Sequence, residues 1–189
     1  MVDDAHGLGV LGQGGRGTAE HFGLEDEVDI YMGTFSKSLA SLGGYMVGTR
    51  KVVDYVKHNS RPFIFSASIT PASVACAMKS LEILENEPER VKNLNDISAY
   101  MRKLLHEKGI KIIESTTPII PIFTYDDIVT FKACKMLQER GVYVNPVVSP
   151  AVPKGESLLR TSYTATHTKE QIKYAAEQIA EVMSELGVI

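Results

Sequence analysis

The opening run MVDD, followed at once by a stretch dense in glycine, constrains this chain more than any other feature. It reads as the end of a buried strand. Parallel strands need crossover connections of a dozen residues or more, and four residues cannot supply the neighbours of such a strand. The expectation is a first lobe without its leading half, which is either supplied by a partner or missing because the chain is a fragment. The glycines that follow, in HGLGVLGQGGRG, mark a loop threading close past another group, since glycine tolerates angles and approach distances that a Cβ forbids.

With 189 residues, 44% hydrophobic and 23% charged, the chain can bury a core and has the profile of a globular protein. Its formal charge of -3 offers no global positive field, so neither nucleic acid nor an anionic membrane is expected as a partner. No apolar run reaches the length of a bilayer span, and Asp3 and Asp4 stand where a secretory leader would be basic. A cytoplasmic location is expected. Cys76 and Cys134 fall in helix-like stretches without metal-ligand spacing, so two buried free thiols are expected and no metal.

Further along, residues 28–33 read as a short buried strand, and TFSKSLASLGGYMVG turns sharply into a second one. A short amphipathic helix is expected over 50–59, an extended piece over RPFIFSAS, and a long helix over 72–87 with Pro71 in its first turn. Val74, Ala77, Met78, Leu81 and Leu84 recur at helical spacing there and are expected to face a core. The run 89–108 repeats that pattern through Val91, Leu94, Ile97, Met101 and Leu105, and Gly109 ends it. Strand and helix then alternate: KIIES, PIIPIFTY, a helix over 127–139, GVYVNPVV, SLLRTSYT, and a terminal helix over 169–186 capped by Thr168 with Gln171, or by Thr166. The class is α/β, with a first domain over 1–88 and an α+β small domain over 89–189.

Lys37 sits between hydroxyls in TFSKS, with Gly33, Gly43 and Gly44 nearby. Such a setting suits either an ordinary turn or a cradle for a phosphate group. The stretches VDDAHGLGVLGQGGRG, DIYMGTFSKSLASLGG, RPFIFSAS and LLRTSYTATHT decide the matter differently, because in order and spacing they resemble the C-terminal half of the α-oxoamine synthases. These are pyridoxal 5'-phosphate (PLP) enzymes of fold type I. The resemblance runs from residue 2 to about residue 180.

That resemblance implies a fold, a cofactor and a reaction. The fold is the end of the large PLP-binding domain followed by the small domain. The reaction is condensation of a small amino acid with an acyl-CoA, usually decarboxylative, giving an α-aminoketone and CoA. Lys37 would hold the cofactor as a Schiff base and then take the substrate's α-proton. Asp3 would pair with the pyridine nitrogen, whose positive charge makes the ring an electron sink. Asp4 beside it would make structural bonds. His6 would contact the phenolic oxygen of the cofactor and, by extension, the substrate carbonyl. Thr34, assisted by Ser36, would anchor the phosphate. Ser66 and Ser68 would reach the phosphate of a second subunit, which implies a homodimer. Arg160 would clamp the substrate carboxylate with its planar fork.

Two other readings compete. A catalytically silent partner subunit, or a truncated fragment, would keep the lysine region without activity, and a colourless protein would mark it. A dinucleotide site at LGQGGRG would need a strand, GxGxxG and helix context that this stretch lacks.

Overall fold

Two compact units make up the chain, Met1–Val91 and Lys92–Ile189, and the computed structural model describes all residues 1–189. In the first unit Val2–Asp3 (β1) pairs in parallel with Ile30–Thr34 (β2), which pairs antiparallel with Gly44–Gly48 (β3). Thr18–His21 (α1) lies in the connection from β1 to β2. Arg50–Asn59 (α2), Arg61–Ile64 (α3) and Pro71–Asn86 (α4) follow, and Thr70 caps α4 by accepting from Ser73 N.

Glu89–Glu107 (α5) leads into the second unit, where Ile119–Tyr125 (β4), Asn145–Val147 (β5) and Ser157–Ser162 (β6) form an antiparallel sheet in the order β4-β6-β5. Asp127–Glu139 (α6) is capped by Asp126, whose Oδ1 accepts from Ile128 N and Val129 N at 2.9 and 3.0 Å. Lys169–Glu185 (α7) begins with the capping box expected of Thr168 and Gln171, with both of its hydrogen bonds present. Met101 and Leu105 of α5, Ile120 and Ile122 of β4, Leu159 of β6, Leu137 of α6 and Ile179 of α7 close one core. No helix is long and apolar enough to cross a membrane.

Several expectations are corrected. RPFIFSAS is not extended throughout, because Ile64 N and Phe65 N donate to Ser60 O and Arg61 O and close one helical turn at α3. Pro62 favours that turn, since its fixed φ suits a first helical position. KIIES forms no strand, only a bridge between Ile112 and Ile122. Ile113 N donates to Pro121 O, but Pro121 has no N–H to return, so the ladder stops. GVYVNPVV contributes only the three residues of β5.

The apolar face of α4 is not core within this chain. Ala77 is buried, whereas Met78 is 68% exposed and Val74 and Leu81 are exposed with it. Nor are both thiols buried, since Cys76 is exposed on the same helix. Helical spacing reports that a face is apolar; what covers it is decided by the rest of the structure.

Cys134 is half-buried, and burial pushes its thiol up to about 11 from 9.0. The thiolate is the nucleophile, and at neutral pH this rise leaves about a hundredth of the thiolate that an ordinary cysteine carries. Alkylation of Cys134 is therefore expected to run about a hundredfold slower than that of an unperturbed thiol. The rate should climb as pH approaches 11, and alkylation followed by peptide mass analysis checks both.

Candidate active site

The carboxyl end of a parallel strand pair is where α/β folds hold ligands, and β1 and β2 end there with Asp3 and Thr34. Asp4 N donates to Met32 O at 2.8 Å, extending the pairing by one residue before the chain turns. Asp3 is exposed at this edge, and its Oδ1 accepts from Ala5 N at 3.0 Å. One carboxylate oxygen thus shapes the turn, and the other takes no part in it.

Asp4 is 5% exposed and has a different task. Both its oxygens accept from Thr18 N at 3.1 Å, and Thr18 Oγ1 donates to Oδ1 at 2.5 Å. A Cβ at Gly7 or Gly17 would fall 1.8 or 1.9 Å from these oxygens, so glycine at both ends lets the loop close round the carboxylate. Tyr45 lies near enough to respond: burial first, and the charge of Asp4 second, raise its hydroxyl above the ordinary tyrosine value. His6 stands exposed on the same loop.

Lys37 projects from the turn 35–43 that follows β2, and it too is exposed. Phe35 N donates to Gly43 O at 2.9 Å, Ser41 N to Phe35 O at 2.7 Å and Ala40 N to Lys37 O at 3.0 Å, closing the turn on itself. Beneath it the Thr34 hydroxyl donates to Gly43 O at 3.0 Å and accepts from Ser36 N at 3.2 Å. The hydroxyls of Thr34 and Ser36 are 2.8 Å apart. With the Thr34 hydrogen engaged by Gly43 O, it is the Ser36 hydroxyl that donates in this contact.

The turn and the glycine loop are joined. Ser38 Oγ donates to Leu8 O at 2.6 Å, and a Cβ on Gly9 would lie 2.5 Å from Ser38 Cβ. The structure therefore brings the loop of Asp3 and His6 against the turn of Thr34, Ser36 and Lys37. Ser66 and Ser68 lie exposed between α3 and α4, without hydrogen bonds to those groups.

Arg160 belongs to the second unit. It is half-buried at the middle of β6, opposite Pro121 on one side and Asn145 on the other. Leu159 and Thr161 turn to the core, so alternation sends Arg160 to the other face of the sheet. Its guanidinium makes no hydrogen bond or ion pair. A separate groove of about 430 Å3 in this unit is lined by Tyr143, Tyr163, His167 and Tyr174 among others, and none of the expected site residues borders it. Burial there pushes Tyr163 up to about 12.

Sequence reasoning passed over Ser38, Gly9 and Tyr45. Gly9 lay within the glycine-dense loop already marked for a close approach. Nothing in the sequence said that Ser38 would be what approached it.

The profile of the family "Aminotransferase class I and II" matches residues 1–179. The chain belongs to that family. Within it the chain is 55% identical over 188 residues to a serine palmitoyltransferase of Sphingobacterium spiritivorum, covering 100% of this chain and 47% of the relative. It is 43% identical to an 8-amino-7-oxononanoate synthase of Thermosipho melanesiensis, again over all of this chain and 48% of the relative. A solved structure of serine palmitoyltransferase with the PLP internal aldimine superposes with a TM-score of 0.94 at 34% identity, covering 100% of this chain and 48% of that one. These relatives are α-oxoamine synthases, and the fold is that of half a fold type I PLP-dependent enzyme. The chain spans about half the length of the relatives it matches.

Proposed function

We propose that the protein containing this chain catalyses the PLP-dependent condensation of a small amino acid with an acyl-CoA, releasing CoA, carbon dioxide and an α-aminoketone. The observation that carries this reading is the junction of the Asp3–His6 loop with the Lys37 turn at the carboxyl end of β1 and β2. The higher identity to serine palmitoyltransferase, 55% against 43% for the oxononanoate synthase, favours serine and a long acyl chain as the pair joined.

The residues fit the cofactor. A lysine amine and a Ser36 hydroxyl on the turn after β2, and a carboxylate oxygen unused by the turn after β1, are all borne at the carboxyl ends of these two strands. A Cβ at Gly44 would lie 2.7 Å from Gly33 O, so glycine is what keeps β2 and β3 this close beside Thr34. When bound, PLP supplies an electron sink for the carbanion formed at the Cα of the amino acid.

Lys37 would hold the cofactor through its Nζ and would accept the substrate's α-proton at the same atom. Asp3 keeps a positive charge on the ring nitrogen favourable. His6 donates to oxygen as negative charge develops on it, which counts most where water is excluded. Thr34 and Ser36 hold the phosphate, with Thr34 fixing the backbone and Ser36 turning its hydroxyl outward. Arg160 grips the substrate carboxylate, a role supported by its unpaired fork of donors.

In this reading the protein is a cytoplasmic homodimer, in which Ser66 and Ser68 serve the phosphate of the opposite subunit. The exposure of Phe63, Ile64 and Phe65 beside them supports an interface, because an apolar run of this kind is poorly placed in water. The first unit is then the end of the PLP-binding domain and the second the small domain.

The test is to load the protein with PLP, add glycine, serine and alanine in turn while recording absorbance, and then supply short and long acyl-CoA thioesters. A yellow protein whose spectrum responds to serine, and which frees CoA only when serine is present, is the expected result. A protein that stays colourless after cofactor addition overturns the reading in favour of a silent subunit.

A further inference from the structure

We infer that Ser38 is a positioning residue for Lys37: its hydroxyl ties the turn that carries the lysine to the loop that carries Asp3 and His6. The inference rests on the assignment of Lys37 and Asp3 to one site and adds how their separation is set. The three backbone hydrogen bonds of the turn all run within residues 35–43, so they give the turn its shape without tying it to the β1 loop. Two tethers lead from it to α4, Ser41 Oγ to Ser73 O at 2.6 Å and Cys76 Sγ to Ala40 O at 3.4 Å. Neither reaches β1.

Ser38 Oγ supplies that missing direction with its 2.6 Å bond to Leu8 O. The accepting loop is firm, since Gly9 N donates to Gly15 O at 2.7 Å and Gly17 N to Leu11 O at 2.8 Å. Gly9 has φ +76 and would meet Ser38 Cβ at 2.5 Å if it carried a Cβ, so serine and glycine are matched at the contact. Ala40 has φ 48, a left-handed conformation that residues with a Cβ adopt at a cost, and outside bonds are what keep a turn so shaped in place.

Three variants test the inference: Ser38→Ala, Ser38→Thr, and Gly9→Ala, whose Cβ would fall 2.5 Å from Ser38 Cβ and 2.7 Å from Ser38 Oγ and so forces the contact apart while the serine itself stays in place. In cofactor-free protein, hydrogen exchange at the Ala40 and Ser41 amides is expected to quicken roughly three- to tenfold in Ser38→Ala, as loss of one hydrogen bond implies, with amides of α6 unchanged. In the holoenzyme, the pH midpoint of the cofactor's absorbance change should move in Ser38→Ala and in Gly9→Ala and return in Ser38→Thr, because it reports the lysine's distance from the Asp3 charge. Unchanged exchange overturns the inference. So does faster exchange with an unmoved midpoint, which is what a purely structural bond would produce. If the unmodified protein holds no cofactor at all, the functional reading falls instead, and the positioning role falls with it.

Discussion

Lys37→Ala is expected to lower CoA release by roughly 10^4-fold or more while leaving the protein folded. Two contributions vanish together. A positioned general base is worth about 10^2- to 10^4-fold by itself, and in the proposed reaction the covalent hold on the cofactor would be lost with the same amine. Effects of groups that act as one unit do not add simply, so the figure is a floor on the loss and not a sum. Stability should scarcely change, because Lys37 is exposed and its side chain bonds to nothing in the chain. Borohydride treatment of the loaded protein should fix the cofactor to Lys37 in the unmodified protein and to no residue in the variant. Lys37→Arg separates charge from nucleophilicity: it keeps the cation and should fail equally. Turnover within tenfold of the unmodified protein, or cofactor fixed to another lysine, would falsify the assignment.

Leu159→Ala is expected to destabilise the second unit by about 2–5 kcal/mol, the range for emptying a fully buried leucine site. Leu159 is 0% exposed at the centre of the middle strand, opposite Ile122 on β4 and Pro146 on β5. Such a site has strands on both sides and helices above, so it cannot collapse readily to refill the void. Chemical denaturation should show a lower midpoint with little change in slope. The next residue provides the contrast. Arg160→Ala, on the opposite face and half-buried, should change stability by no more than about 0.5 kcal/mol, yet in the proposed reaction it should weaken amino acid binding. A large stability loss from Arg160→Ala would assign the arginine to packing and not to a substrate.

Much of the local structure was legible because its causes are local. The helices expected over 50–59, 72–87, 89–108, 127–139 and 169–186 are observed as Arg50–Asn59, Pro71–Asn86, Glu89–Glu107, Asp127–Glu139 and Lys169–Glu185. Apolar spacing, a cap at Thr168 and a glycine at 109 with φ 71 act within a few residues of where they are read. KIIES was misread because a strand is a property of two segments. Its apolar alternation is sound, but the partner carries Pro121, which cannot return a hydrogen bond. The α4 face was misread for a related reason: five apolar residues at helical spacing say nothing about whether a neighbour is present.

The site divides the same way. The residues proposed for the chemistry, a lysine among hydroxyls after a strand and paired aspartates before a glycine loop, stand out in the order of residues alone. The separate tasks of Asp3 and Asp4 could be proposed but not explained. Neighbours in sequence on a strand point to opposite sides, and only the fold sends Asp4 inward to Thr18 and leaves Asp3 at the edge.

By itself, then, the sequence determined the five long helices, the cap of the last one at Thr168, and the family to which the motifs belong. Tertiary structure decided which loops meet: that Ser38 rests on Gly9, that Thr34 is spent on Gly43, and that Gly7 and Gly17 close round one carboxylate. The physical reason is range. Periodicity and capping are settled over one or two helical turns, whereas a contact between residues 8 and 38 exists only after β1 and β2 have paired.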